Sequence, residues 1–149
     1  MKILTWIYLS FINLAFLFFI CIFPGKLYAE DNVVANGIRQ KPPHTIYFTN
    51  NSKAITVEGS LALDLLLDNI KSENLKAIRI VGHADTLGGR VQNYMLSANR
   101  SKSVKSWLTE KGLDKSILKT SWKGELDPPY PTSDGVAEPL NRCVEIFIE

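Results

Sequence analysis

The chain has 149 residues, 46% of them hydrophobic, and a formal charge of +2. Both excess cations, Lys2 and Lys26, precede residue 30, so residues 30–149 hold fifteen basic and fifteen acidic side chains and are formally neutral. A neutral stretch without a basic block is a poor match to nucleic acid, and Cys143, its single cysteine, excludes an internal disulfide framework.

Residues 1–29 read as a secretory signal peptide: Lys2, an apolar run from Ile3 to Phe23, the breakers Pro24 and Gly25, and Ala29 before a polar stretch. The run is also long enough to span a bilayer, so its retention as an N-terminal membrane anchor through residues 3–23 is the alternative. Cys21 lacks the small preceding residue that lipid attachment wants. Under either reading the remainder lies outside the cytoplasm. Residues 30–43, polar and closing on "KPP", are expected to be a linker.

From His44 the pattern alternates. "HTIYFTN" (44–50) is β-branched and aromatic and runs into "NNS", which predicts a strand and a turn. Residues 57–74 predict an amphipathic helix with Leu63, Leu66, Leu67 and Ile70 on one face, Thr56 as its cap, and Gly59 weakening the first turn. "LKAIRIVGH" (75–83) predicts a second strand. A second helix is expected from Val91 to Lys111, stopped by Gly112. "SILKTSW" (116–122) and the closing "NRCVEIFIE" predict two more strands, separated by a long loop rich in Pro and Gly. The order β-α-β-α-β-β implies an α/β, two-layer sandwich. A mixed sheet, with the last strand antiparallel to a neighbour, would carry two helices on one face.

On a helical wheel Asn93, Leu96, Ser97, Arg100, Val104, Trp107 and Leu108 share one side of the second helix. Its C-terminal half is apolar, as a core stripe should be; its N-terminal half carries an amide, a hydroxyl and a guanidinium. A buried Arg100 needs a partner, and Asp85, at the carboxyl end of the second strand, is the nearest acid in sequence. Two readings stay open at this point. The two charges pair with each other and pin the loop to the helix, or both face a cleft and grip a zwitterion. In the second, Asp85 takes the ammonium, Arg100 takes the carboxylate, and Asn93 adds donors near the helix start.

Residues 44–149 resemble the OmpA-like peptidoglycan-binding domain. The resemblance rests on Gly82, His83, Asp85, Gly88, Asn93, Leu96, Ser97, Arg100 and Val104, on Gly124, Glu125 and Pro128 in the loop, and on Asn141, Arg142, Val144, Glu145 and Ile146 in the final strand. It implies non-covalent, non-enzymatic binding of the peptidoglycan stem peptide in the periplasm, through its diaminopimelate. Asp85, Arg100, Asn93, Ser97 and Arg142 are then the candidate ligand-binding residues. Family members commonly carry a second arginine where this chain has Cys143, so any contact made by that arginine is absent or falls to Arg142. The other function kept open is a fold retained for binding envelope proteins.

No cofactor, metal or catalysis is expected. His83 and Asp85 are accompanied by one further histidine, His44, and the chain has no HExxH pattern, Cys-His cluster or nucleophile elbow. Trp107, on the apolar stripe, reads as core. Trp122, at the end of a strand, is the more open to a ligand.

Overall fold

The structure, a computed structural model, describes residues 42–70 and 75–149. The expected signal or anchor segment, Cys21 and nearly all of the linker lie outside these residues. Among the described residues no helix is long and apolar enough to cross a membrane.

Strand β1 (His44–Tyr47) is shorter than the sequence suggests. The chain turns at Thr49–Ser52, with Asn51 in the left-handed region at φ 49°. Helix α1 (Val57–Ile70) starts where Thr56 Oγ1 accepts a hydrogen bond from the Gly59 N–H at 3.1 Å, the expected cap. Leu63, Leu66, Leu67 and Ile70 are buried, as their spacing requires. Gly59 costs helix propensity but lets α1 close onto β1: a Cβ there would meet the Ile46 and Ile55 methyls at 3.2 Å.

Strand β2 (Ile78–His83), helix α2 (Arg90–Glu110) and strand β3 (Leu118–Gly124) follow. Gly112, at φ 99°, lies just past the end of α2. β3 begins two residues later than predicted because Asp114 forms a turn, accepting the N–H of Ser116 at 2.8 Å on its side chain and that of Ile117 on its carbonyl. A 3-10 turn, Pro139–Asn141, not foreseen from sequence, leads into β4 (Cys143–Ile148).

The sheet order is β1-β4-β2-β3. β4 is antiparallel to both β1 and β2, and β2 is parallel to β3, so the sheet is mixed as expected. The last strand is central rather than at an edge. The pairs Ile46–Val144, Ile80–Ile146 and Ile78–Ile148 line up across it. Their side chains form the core with Leu63, Leu66 and Ile70 of α1 and with Val104 and Leu108 of α2. Both helices therefore cover one face. On the other, the Arg79 guanidinium lies 4.0 Å from the centroid of the Phe147 ring and pairs with Glu149.

Candidate ligand-binding site

The site is built at the carboxyl end of β2, and Gly82 decides its geometry. A Cβ at Gly82 would fall 2.1 Å from the Ser97 carbonyl oxygen, so only glycine lets α2 lie this close to the strand. The approach places Asn93, Ser97 and Arg100 under the strand end.

Arg100 has 0% exposure and answers the partner question in an unexpected way. Its Nε donates to the Ser52 carbonyl at 2.9 Å, Nη1 to His83 O at 3.0 Å and Nη2 to Thr49 O at 3.2 Å. The guanidinium carbon lies 5.3 Å from the centroid of the Phe48 ring. Burial pulls the Arg100 pKa down to about 10, with Asp85 opposing and Arg142 adding to the fall, so the group stays cationic at neutral pH. The residue thus ties the β1–α1 turn to the end of β2.

Asp85 pairs instead with Arg142, whose Nη1 lies 3.1 Å from Oδ2, with both side chains largely buried. The Asp85–Arg100 ion pair considered from sequence is not formed. Three peptide carbonyls satisfy the arginine, which sequence distance could not reveal. Asp85 thus stands near two guanidiniums, those of Arg142 and Arg100.

Asn93 is also tied inward. Its Nδ2 donates to Glu125 Oε2 at 2.6 Å and to Leu87 O at 3.2 Å. The amide donors expected for a ligand are therefore engaged, and Oδ1 is the atom left over. The Ser97 hydroxyl donates to Tyr94 O at 2.8 Å and accepts the Gly124 N–H at 3.0 Å. It joins α2 to the end of β3.

A cleft of about 180 Å³ opens here, lined by Asn50, Asn51, Asp85, Leu87, Gly88, Gln92, Asn93 and Leu96. Of the five residues singled out from sequence, Asp85 and Asn93 line it. Arg100 and Ser97 are walled in behind it, and Arg142 reaches Asp85 from the β4 side. Asn50, Asn51 and Gln92 are the additions. "NNS" signals a turn, and nothing in its pattern says that the turn faces residues 85–93. The rest of the surround is pinned from the long loop. Thr86 Oγ1 donates to Ser133 O and accepts the Val136 N–H, and Asn141 bonds both the N–H and the carbonyl of Tyr130.

Cys143 is buried, and its thiol pKa is pushed up to about 12, chiefly by burial, so it is inert packing. His83 Nε2 stands 3.2 Å from Glu145 Oε2 but makes no hydrogen bond. Among the described residues no three His, Cys, Asp or Glu side chains are grouped to hold a metal ion. Trp107 packs against the core, and Trp122 meets Tyr94 edge-on with centroids 6.2 Å apart; neither lines the cleft. A larger, shallow depression of about 450 Å³ lies beside Lys53, Ser103 and Trp107 and contains none of the predicted residues.

Residues 47–142 match the family model described as "OmpA family". The chain is 32% identical over 102 residues to outer membrane protein A of Bordetella avium, covering 68% of this chain and 53% of that protein. It is 29% identical over 101 residues to the peptidoglycan-associated lipoprotein of Buchnera aphidicola, covering 68% and 58% respectively. It therefore spans little more than half the length of these relatives. Among solved structures, the peptidoglycan-associated lipoprotein from Burkholderia pseudomallei superposes with a TM-score of 0.64 at 21% identity, over 71% of this chain and 90% of that one; at this identity the likeness speaks for the fold.

Proposed function

The chain belongs to the OmpA family, and from that premise we propose that it binds peptidoglycan non-covalently in the periplasm, tethering itself or its assembly to the cell wall. The ligand end is the diaminopimelate of the stem peptide, which carries an ammonium and a carboxylate. One observation carries this reading: Asp85 lines the cleft with Oδ1 accepting no hydrogen bond from the described residues, while two guanidiniums surround it. A free carboxylate oxygen with guanidiniums close by suits a group with both charges.

In this reading Asp85 receives the ammonium and Arg142, already at its side, turns to the carboxylate. Arg100 holds the Asn50–Asn51 wall in place and adds positive charge beneath it. Ser97 keeps α2 seated at the strand end. Recognition needs charge complementarity and shape and involves no bond-making. The names of the relatives, an outer membrane protein and a peptidoglycan-associated lipoprotein, support an envelope setting. The second reading, a module for envelope protein partners, is favoured by the exposed stripe Val57, Leu61 and Leu65 along α1.

Co-sedimentation with isolated diaminopimelate-type sacculi separates the two. The chain should pellet with sacculi, and Asp85→Asn, folded by circular dichroism, should lose affinity by roughly tenfold or more, the worth of one charged hydrogen bond. If the unaltered chain stays in the supernatant, the wall reading fails and the protein-partner reading takes its place.

A further inference from the structure

We infer that Glu125 is a positioning residue that makes the cleft selective for a free ammonium group, by turning the Asn93 carboxamide so that its oxygen faces the ligand. The inference rests on the proposed function and specifies how its site discriminates.

The chain of causes begins at Gly124. Its φ of 61° turns the backbone beneath α2, and a Cβ there would press on the Tyr94 Cα at 3.1 Å. That turn delivers Glu125, whose side chain is only 7% exposed, to the first turns of the helix. Oε2 accepts Asn93 Nδ2 at 2.6 Å, and the Leu87 carbonyl accepts the same nitrogen at 3.2 Å. Both neighbours are acceptors that cannot donate. Reversing the amide would set the Asn93 oxygen against two other oxygens, so the orientation is fixed. Asn93 therefore brings only Oδ1 to the cleft wall that it shares with Asp85. Asp85 and Asn93 thus each offer an acceptor oxygen to the same cleft. A primary ammonium, with three N–H groups and a charge, satisfies both; an acylated amine, with one N–H and no charge, does not. Arg90 also touches Glu125, at 3.3 Å, but is 73% exposed and screened, so it is not required.

The test is calorimetric titration with two probes: a tripeptide ending in meso-diaminopimelate with its side-chain amine free, and the same tripeptide with that amine acetylated. The unaltered chain should prefer the free amine by roughly tenfold or more. Glu125→Ala releases the amide and should erase most of that preference. Glu125→Gln keeps an acceptor oxygen for Asn93 Nδ2 while removing the charge, so the amide stays turned as it is. It should keep the preference, whereas a direct pull of the Glu125 charge on the ammonium would be lost with the carboxylate. A folded Glu125→Ala variant with unchanged preference overturns the inference and leaves the binding reading intact. Should Glu125→Ala not fold, a folded Asn93→Ala variant, which removes the fixed oxygen itself, overturns the inference equally if its preference is unchanged. If the unaltered chain binds neither tripeptide, the proposed function itself falls.

Discussion

The two halves of α2 are buried to the same depth by different physics. Val104 and Leu108 pack among Ile78, Ile80 and Leu118, where contact is non-directional and any side chain of similar volume would serve nearly as well. Ser97 and Arg100, two turns earlier, are equally inaccessible, but each polar atom named above meets a particular backbone group. The apolar half supplies stability. The polar half supplies position, because a hydrogen bond constrains angle and distance where dispersion does not. The cleft lies beside the polar half.

That contrast can be broken first at Gly82, where the polar half meets the sheet. Gly82→Ala drives a methyl into the Ser97 carbonyl and should cost about 4 kcal/mol or more, beyond ordinary overpacking, read by urea denaturation. The sharpest comparison sets Leu108→Ala against Arg100→Met. Each should cost about 3 kcal/mol, the first by a cavity and the second by stranding carbonyls. Leu108→Ala should leave sacculus binding unchanged in whatever fraction is folded. Arg100→Met should lose binding as well, since it frees the Asn50–Asn51 wall. Equal effects on binding would dissolve the distinction between the halves.

A smaller effect is expected at Ser97→Ala, about 1–2 kcal/mol, as the Gly124 N–H loses its acceptor. The smallest concerns alkaline pH. Cys143 has a folded pKa of about 12 against an ordinary 9.0, so the folded state holds the thiol proton more tightly and stability falls as pH rises through that interval. By pH 10 the loss should reach about 1 kcal/mol, and Cys143→Ala should flatten the slope between pH 9 and 10 whatever its effect on absolute stability. Arg100 works in the opposite direction: its folded pKa of about 10 lies below its ordinary 12.5, so its contribution to stability rises with pH only above that window.

The periodicity of α2 is legible in the sequence. It puts Asn93, Leu96, Ser97, Arg100, Val104, Trp107 and Leu108 on one side; five of the seven are buried, and Leu96 and Trp107 are half-buried. The Thr56 cap and the stop near Gly112 are legible for the same reason: each is written in residues a few positions apart. The partners of the buried polar groups are not. Arg100 reaches Ser52, Thr49 and His83 at separations of 48, 51 and 17 residues, and Arg142 reaches Asp85 at 57. Sequence proximity favours Asp85 for Arg100, whereas the tertiary structure gives Asp85 to Arg142.

The amino-acid sequence by itself therefore determined the order of elements, the buried faces of the helices and the kinship with the OmpA family. Only the tertiary structure decided that Asn50 and Asn51 face Asp85, that three carbonyls hold Arg100, and which end of the Asn93 amide meets the cleft. Hydrophobic periodicity is a local property of the chain. Hydrogen bonds between distant segments depend on where the turns at Thr49–Ser52, Gly82 and Gly124 bring the backbone, and that is fixed only when the helices close onto the sheet.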